Sequence, residues 1–293
     1  MAHRTKFIIV YGVIFLRKAL ITGSKGQLGI EVAKQLSVIT GIEIIETDLQ
    51  SLDITNQRQV FHVVKGKKPD VIINCAAHTN VDKCETEETT AYQVNAIGAH
   101  NLSVAAYSIG AKMVQISTDY VFDGSGSTPK REDDPINPQS VYGRSKALGE
   151  KLVRETNPRH FILRTAWLYG EGHNFVRTML RLAREKGEVF VVSDQIGSPT
   201  STKDLAKCII DLIQTESYGT YHATGEGSCS WYEFAKKIFA IKDLSIKVNP
   251  ITTAELNRSA KRPQYSVLEN FMLQLIGLNS FRHWEEALVD YLR

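Results

Sequence analysis

Residues 19–37 read "ALITGSKGQLGIEVAKQLS". A short apolar run, "ALIT", leads into glycines spaced G-x-x-G-x-x-G at Gly23, Gly26 and Gly29, and a segment of helical period follows. Strand, glycine turn and helix is the setting in which such a turn holds the pyrophosphate of a dinucleotide. Gly23 permits the tight turn, Gly26 lets backbone amides approach the phosphates, and Gly29 allows close helix–strand packing. The helix N-terminus adds partial positive charge. Lys25, Gln27 and Leu28 fall in the same cradle. Asp48, at the end of the next predicted strand, stands where an acid takes ribose hydroxyls. A carboxylate there repels a 2′-phosphate and favours NADH, and Leu49 stands where an arginine would favour NADPH. Lys25 could still pair with a phosphate, so both NADH and NADPH remain open.

Outward from this stretch, apolar runs alternate with helical segments. Strands are predicted at 19–22, 42–48, 70–77, 112–118 and 161–170, and helices at 27–37, 56–68, 87–110 and from Ser140. Near-continuous apolar strands between helices predict an α/β fold, a Rossmann-type doubly wound parallel sheet. Helices follow at 174–187, 202–214 and 230–240, with a strand and loop over 189–200. The pattern predicts a dinucleotide-binding domain over 18–170, with 188–222 returning to it. Residues 171–187 and 223–293 are assigned to a smaller mixed α/β substrate lobe near the C-terminus, over the carboxyl end of the sheet.

Composition excludes several classes. The net charge is only +3 and no basic stripe carries interleaved aromatics, so nucleic acid is not an expected partner. Cys75, Cys84, Cys208 and Cys229 form no C-x-x-C, and H-E-x-x-H is absent, so no zinc site or disulfide scaffold is indicated. Free thiols suit a cytoplasmic location. The apolar run Phe7–Leu16 follows basic residues, but it is too short to cross a bilayer and no small-residue cleavage site follows it. Residues 1–17 therefore read as an extension outside the fold, and no membrane partner is expected.

"SVYGRSKALGEK" (140–151) puts Tyr142 and Lys146 on one face of a helix, since i and i+4 are neighbours. "STDY" (117–120) ends a strand upstream. A Ser/Thr at a strand end followed by Y-x-x-x-K resembles the extended short-chain dehydrogenase/reductase superfamily. "LDITN", "PDVIINCAAHTNVDKCE", "ISTDYVFDG", "PINPQSVYGRSKALGE", "LRTAWLYG" and "SDQIGSPTSTKDLA" together narrow it: the chain is similar to the dTDP-4-dehydrorhamnose reductase family. Nearly all of the chain beyond residue 17 takes part in this likeness.

The resemblance implies NAD(P)H-dependent reduction of a C4 ketone on a dTDP-linked deoxysugar, leading to dTDP-L-rhamnose. Thr118, Tyr142 and Lys146 match the catalytic triad. Tyr142 donates the proton, Lys146 tunes it and binds nicotinamide ribose, and Thr118 bonds the carbonyl oxygen. A nearby ammonium is expected to draw Tyr142 towards phenolate. Asp53, Ala76 and Ala77 join the cofactor residues. Thr79, Val81, Asp119, Tyr120 and Trp167 match the sugar pocket, and Arg262 is a candidate for the diphosphate. The resemblance further implies a homodimer, with Mg2+ held at its contact in some members; Glu31 matches one ligand position, with no second ligand placed. Thr118-Asp119-Tyr120 departs from the T-D-E of nucleotide-sugar dehydratases, and the serine run of epimerases is missing. The methionine adenosyltransferase β subunit, a binding protein, shares "STDYVFDG" and Y-x-x-x-K but lacks the tryptophan found here at Trp167.

Overall fold

The computed structural model describes residues 16–256 and 258–293; most of the 1–17 extension lies outside them. In chain order the elements are β1 (Lys18–Thr22), α1 (Gln27–Ser37), β2 (Glu43–Thr47), α2 (Gln57–Lys67), β3 (Val71–Asn74), α3 (Val81–Thr86) and α4 (Glu88–Tyr92). A π-helical turn (Gln93–Gly98), α5 (Ala99–Ser108), β4 (Lys112–Thr118), α6 (Val141–Thr156), β5 (His160–Thr165) and β6 (Leu168–Tyr169) follow. The chain continues with α7 (Phe175–Glu185), β7 (Glu188–Val192), β8 (Ile196–Gly197), β9 (Thr200–Ser201), α8 (Thr202–Ile213) and β10 (Gly219–His222). It ends with β11 (Cys229–Ser230), α9 (Trp231–Ile241), β12 (Lys247–Ile251), α10 (Thr253–Leu256), α11 (Phe271–Leu275) and α12 (Trp284–Leu292).

Six strands form one sheet in the order β10-β5-β4-β3-β1-β2, every pair parallel. Alternate residues of each strand feed opposite faces. Ala19, Ile21, Val71, Ile73, Phe161 and Leu163 enter one core with residues of α1 and α8, while Leu20, Ile72, Met113 and Ile162 enter the other with α2 and α5. A strand covered on both faces must be apolar throughout, which is why these runs show no polar alternation. The strand order reverses between β1 and β3, so their carboxyl ends diverge into a crevice. A third core joins β7, α7, α9 and α12, with Phe234, Ile238 and Trp284 at its centre. β7 pairs there with β12 in a separate two-stranded sheet.

A buried polar rung crosses the main sheet just below the crevice. Thr22 donates to Asn74 Oδ1 at 2.6 Å, and Asn74 Nδ2 donates to Gln115 Oε1 at 2.7 Å. Asn74 Oδ1 also accepts from the Ala76 amide at 3.2 Å. Each member sits one strand from the next, so the rung ties β1, β3 and β4 at one level.

Two predicted elements are broken. The helix expected over 87–110 divides at the π-helical turn, where Asn95 turns inward and bonds the His78 amide at 2.8 Å and the Ser145 hydroxyl at 3.0 Å. The strand expected over 161–170 stops at Thr165, because Trp167 takes a left-handed backbone (φ +47°) before β6 resumes. At the other end of the sheet the fold takes in Leu16 and Arg17, which the sequence reading had left in the extension. Leu16 is buried in the first core, and the Arg17 amide donates to Asp70 at 2.7 Å.

Candidate active site

A cavity of about 550 Å3 opens at the carboxyl ends of β1, β3, β4 and β5. The loop after β1 contributes Lys25, Gly26, Gln27 and Leu28, and the loop after β3 contributes Cys75, Ala76, Ala77, Thr79 and Val81. Thr118, Asp119 and Tyr120 come from the end of β4, Tyr142 and Lys146 from α6, and Trp167 from beyond β5. Residues spread over the chain thus meet in one place.

The glycine turn is shaped for close approach. Gly23 has φ +64°, and a Cβ there would stand 2.7 Å from the Ala76 amide nitrogen. A Cβ on Gly29 would stand 2.3 Å from the Gly23 carbonyl oxygen. These two residues do not line the cavity; they bring β1, α1 and the Ala76 loop together behind it. The N-cap of α1 is Gly26, with no side-chain cap and no acid in the first turn. Its amides therefore retain the character that suits an anion. Gln27 Oε1 is buried beside them without a hydrogen-bond partner. Uncapped amides and a shaped glycine turn fit a dinucleotide pyrophosphate.

Asp48 is ion-paired with the lining residue Lys25, its carboxyl held below the usual range first by that lysine and also by the Ser51 and Gln50 amides. Asp53, like Asp48, lies outside the cavity lining. Its carboxylate accepts from the Thr55 amide at 2.9 Å and the Thr55 hydroxyl at 2.7 Å, which shapes the turn before α2. Arg262 also lies outside the cavity lining. It donates to Asp82 at 2.8 Å and to the Tyr120 hydroxyl at 3.5 Å, so its charge is already paired. Glu31 accepts from Gln35 at 2.7 Å. Among the described residues no group of three or more His, Cys, Asp or Glu side chains could hold a metal ion.

At the reaction centre, Ser140 caps α6 by accepting from the Gly143 amide at 3.1 Å, which starts the helix so that Tyr142 and Lys146 share its inner face. Lys146 is buried and donates to the Ile116 carbonyl at 2.6 Å; burial lowers its pKa to about 8. Tyr142 hydrogen-bonds Thr118, and its ring meets Tyr120 edge-on at 5.4 Å. Burial pushes the Tyr142 phenol above its ordinary value, a rise that the Thr118 bond only partly offsets. The expectation that Lys146 draws it towards phenolate is therefore not met within the protein itself. The lysine's charge is engaged with a backbone carbonyl instead. Thr118 donates to Asp119 Oδ1 at 2.8 Å. Asp119 is buried, its Oδ2 has no partner, and burial raises its pKa to about 6.

Behind these residues lies a buried ion pair. Arg164 donates to Glu150 through Nε at 3.0 Å and through an amino nitrogen at 2.9 Å. Ser117 donates to Glu150 Oε1 at 2.5 Å. Glu150 is one turn beyond Lys146, so the pair fixes α6 against β4 and β5 beneath the reaction centre. No local pattern marks Glu150 as special; it reads as a solvated helix residue.

The structure adds wall residues that sequence reasoning did not reach: Gln195, Trp231, Pro263 and Ser266, with Glu171 to His173. They come from the later lobe and its connections. Trp231 opens α9 behind the capping box of Ser230 and Glu233, a local signal for the start of that helix.

A model of the RmlD substrate binding domain family matches residues 17–293. The spore coat polysaccharide biosynthesis protein SpsK of Bacillus subtilis is 47% identical over 279 residues, spanning 95% of this chain and 98% of SpsK. A dTDP-4-dehydrorhamnose reductase of Aggregatibacter actinomycetemcomitans is 43% identical over 286 residues, spanning 93% of this chain and 97% of its own. Among solved structures, a dTDP-4-dehydrorhamnose reductase from Clostridium acetobutylicum matches with a TM-score of 0.93 at 53% identity, covering 94% of this chain and 98% of that one. A dTDP-4-dehydrorhamnose reductase from Bacillus anthracis in complex with NADP matches with a TM-score of 0.92 at 45% identity, over 94% and 99% of the two chains.

Proposed function

Since this chain belongs to the family of the RmlD substrate binding domain, we propose that it is a nicotinamide-dependent reductase of a dTDP-linked 4-keto-6-deoxysugar, with dTDP-L-rhamnose as its product. One observation carries the reading. Tyr142, Thr118 and Lys146 converge on the same cavity as the uncapped N-terminus of α1 and the indole of Trp167.

The chemistry follows from these residues. A reduced nicotinamide supplies hydride. Tyr142 gives its proton to the C4 oxygen as negative charge develops there. A phenol whose pKa burial has raised keeps that proton until the oxygen becomes basic enough to take it. Lys146, one turn beyond the tyrosine on α6 and held by the Ile116 carbonyl, offers hydrogen bonds to a ribose. Thr118 orients the phenol, and Asp119 Oδ2 can accept from a sugar hydroxyl. Trp167 walls the apolar face of the deoxysugar. Glycines 23, 26 and 29, with Ala76 and Ala77, leave room for the dinucleotide backbone. The lobe of residues 171–187 and 223–293 closes over the sugar nucleotide.

Both cofactors are accepted in this reading. Asp48 suits a free 2′-hydroxyl, and Lys25, largely exposed, can turn to a 2′-phosphate. The test is cofactor oxidation with dTDP-6-deoxy-L-lyxo-4-hexulose, run with NADH and with NADPH. Turnover with neither, by folded protein, would sink the assignment. Tyr142→Phe is expected to lower kcat by about 10²–10⁴ while cofactor affinity holds. Retained turnover would remove Tyr142 from the role of proton donor.

A further inference from the structure

The sugar end of the cavity carries an aromatic arrangement that the reaction scheme leaves unused. Trp167 and Trp231 stack face to face, ring centroids 3.5 Å apart and planes 8° apart. Aromatic pairs prefer offset or edge-on contact, so a near-eclipsed stack is held by its surroundings. The restraints can be named. Phe175 packs on Trp231 at 4.5 Å. Ser230 and Glu233 fix the start of α9 through a reciprocal capping box. Gly197 lies so close to Trp167 that a Cβ would stand 2.4 Å from indole Cε2. The backbone is restrained too, since the Thr200 amide donates to the Trp167 carbonyl at 3.3 Å.

Trp167 itself is strained. A bulky residue at φ +47° is a backbone outlier, and such strain persists only where the surroundings over-determine it. Trp231 covers one face of the Trp167 indole. The two indoles come from different parts of the fold, Trp167 from the end of β5 and Trp231 from the lobe that carries α9.

We propose that Trp231 is a positioning residue for the nucleotide-linked deoxysugar: its ring holds the Trp167 indole at the angle that orients the sugar over the hydride donor. This rests on the function proposed above. Trp231 works through Trp167, so its loss frees that wall and leaves the dinucleotide cradle, built by other residues, unchanged.

Calorimetric titration with dTDP-L-rhamnose and, separately, with NADP+ tests this without turnover. Trp231→Ala is expected to weaken dTDP-L-rhamnose binding about tenfold and to leave NADP+ within about twofold. Trp231→Phe, which can still stack, should recover to within about threefold of wild type. Unchanged sugar-nucleotide binding by folded Trp231→Ala would overturn the inference, as would parallel loss of both ligands or a Phe variant as weak as Ala. Should the Ala variant not fold, Trp231→Leu keeps apolar volume without stacking and carries the same comparison. A wild-type protein that binds no dTDP-sugar would overturn the function and this inference together. Tight wild-type binding that Trp231→Ala leaves unaltered removes only the inference.

Discussion

Asp119 is the residue whose chemistry is most at odds with its place. Burial raises its pKa from an ordinary 3.8 to about 6, against the Thr118 hydrogen bond and the nearby Ser266 hydroxyl, which lower it. Between those two values the folded state holds a proton that the unfolded state has lost. Stability therefore falls as pH rises through this window and stays lower above it. Asp119→Asn keeps the shape and the acceptor for Thr118 but removes the charge. It should stabilise the protein by on the order of 3 kcal/mol at pH 7.5, with almost no gain near pH 4. Thermal unfolding of both proteins at the two pH values checks this; equal gains at both would show that the carboxylate is not the cause. Such a cost at a site of binding is expected where a buried acceptor awaits a ligand's donor.

At the scale of elements, α6 and the π-helical turn determine each other. Gly149 lies on α6 against that turn, where a Cβ would stand 2.3 Å from the Asn95 carbonyl oxygen. Two effects oppose each other in Gly149→Ala. Helix propensity favours alanine by about 1 kcal/mol. Backbone cannot yield as a flexible side chain can, so overpacking, at about 1–3 kcal/mol or more, should win. The variant is expected to lower Tm and to reduce turnover, since α6 carries Tyr142 and Lys146. A raised Tm would mean that the turn shifts freely. This contact also shows where sequence reading ends. Helices with a clean period, such as α1 and α8, were legible to within about one residue. The π-helical turn was not, because it exists to point Asn95 at the His78 loop, a partner far away in sequence. β5 ended early for a similar reason, at a tryptophan fixed by residues of another lobe.

Across the whole molecule, the dinucleotide half was legible and the sugar half largely was not. The first half is built from repeated strand–turn–helix units whose periods are local. The glycine turn follows from such patterns, and Thr118, Tyr142 and Lys146 from the family resemblance that their motifs carry. Trp231, Gln195 and Ser266 arrive at the cavity by tertiary packing alone, and Arg262, chosen for its guanidinium, is held by Asp82. The Glu150–Arg164 pair ties helix to sheet at the centre of the molecule, with His222 of β10 3.4 Å from the guanidinium. Glu150→Ala leaves a buried cation uncompensated and should cost about 3–5 kcal/mol, read as a lower denaturation midpoint in urea. Replacing both partners by Met should recover much of that loss. A double variant no better than Glu150→Ala would show that the network beyond the pair, Ser117 included, carries the stability.

The Thr22–Asn74–Gln115 rung bears on strand register. No member of it finds its partner within its own strand, and the three lie 52 and 41 residues apart along the chain. Until β1, β3 and β4 lie side by side at the correct level, the Asn74 amide is exposed to water or buried unsatisfied. A sheet shifted by one residue would bury it facing a hydrocarbon layer. The rung thus discriminates between alignments: only the native register of β1, β3 and β4 satisfies the Asn74 amide, and a compact sheet in any other register carries its cost.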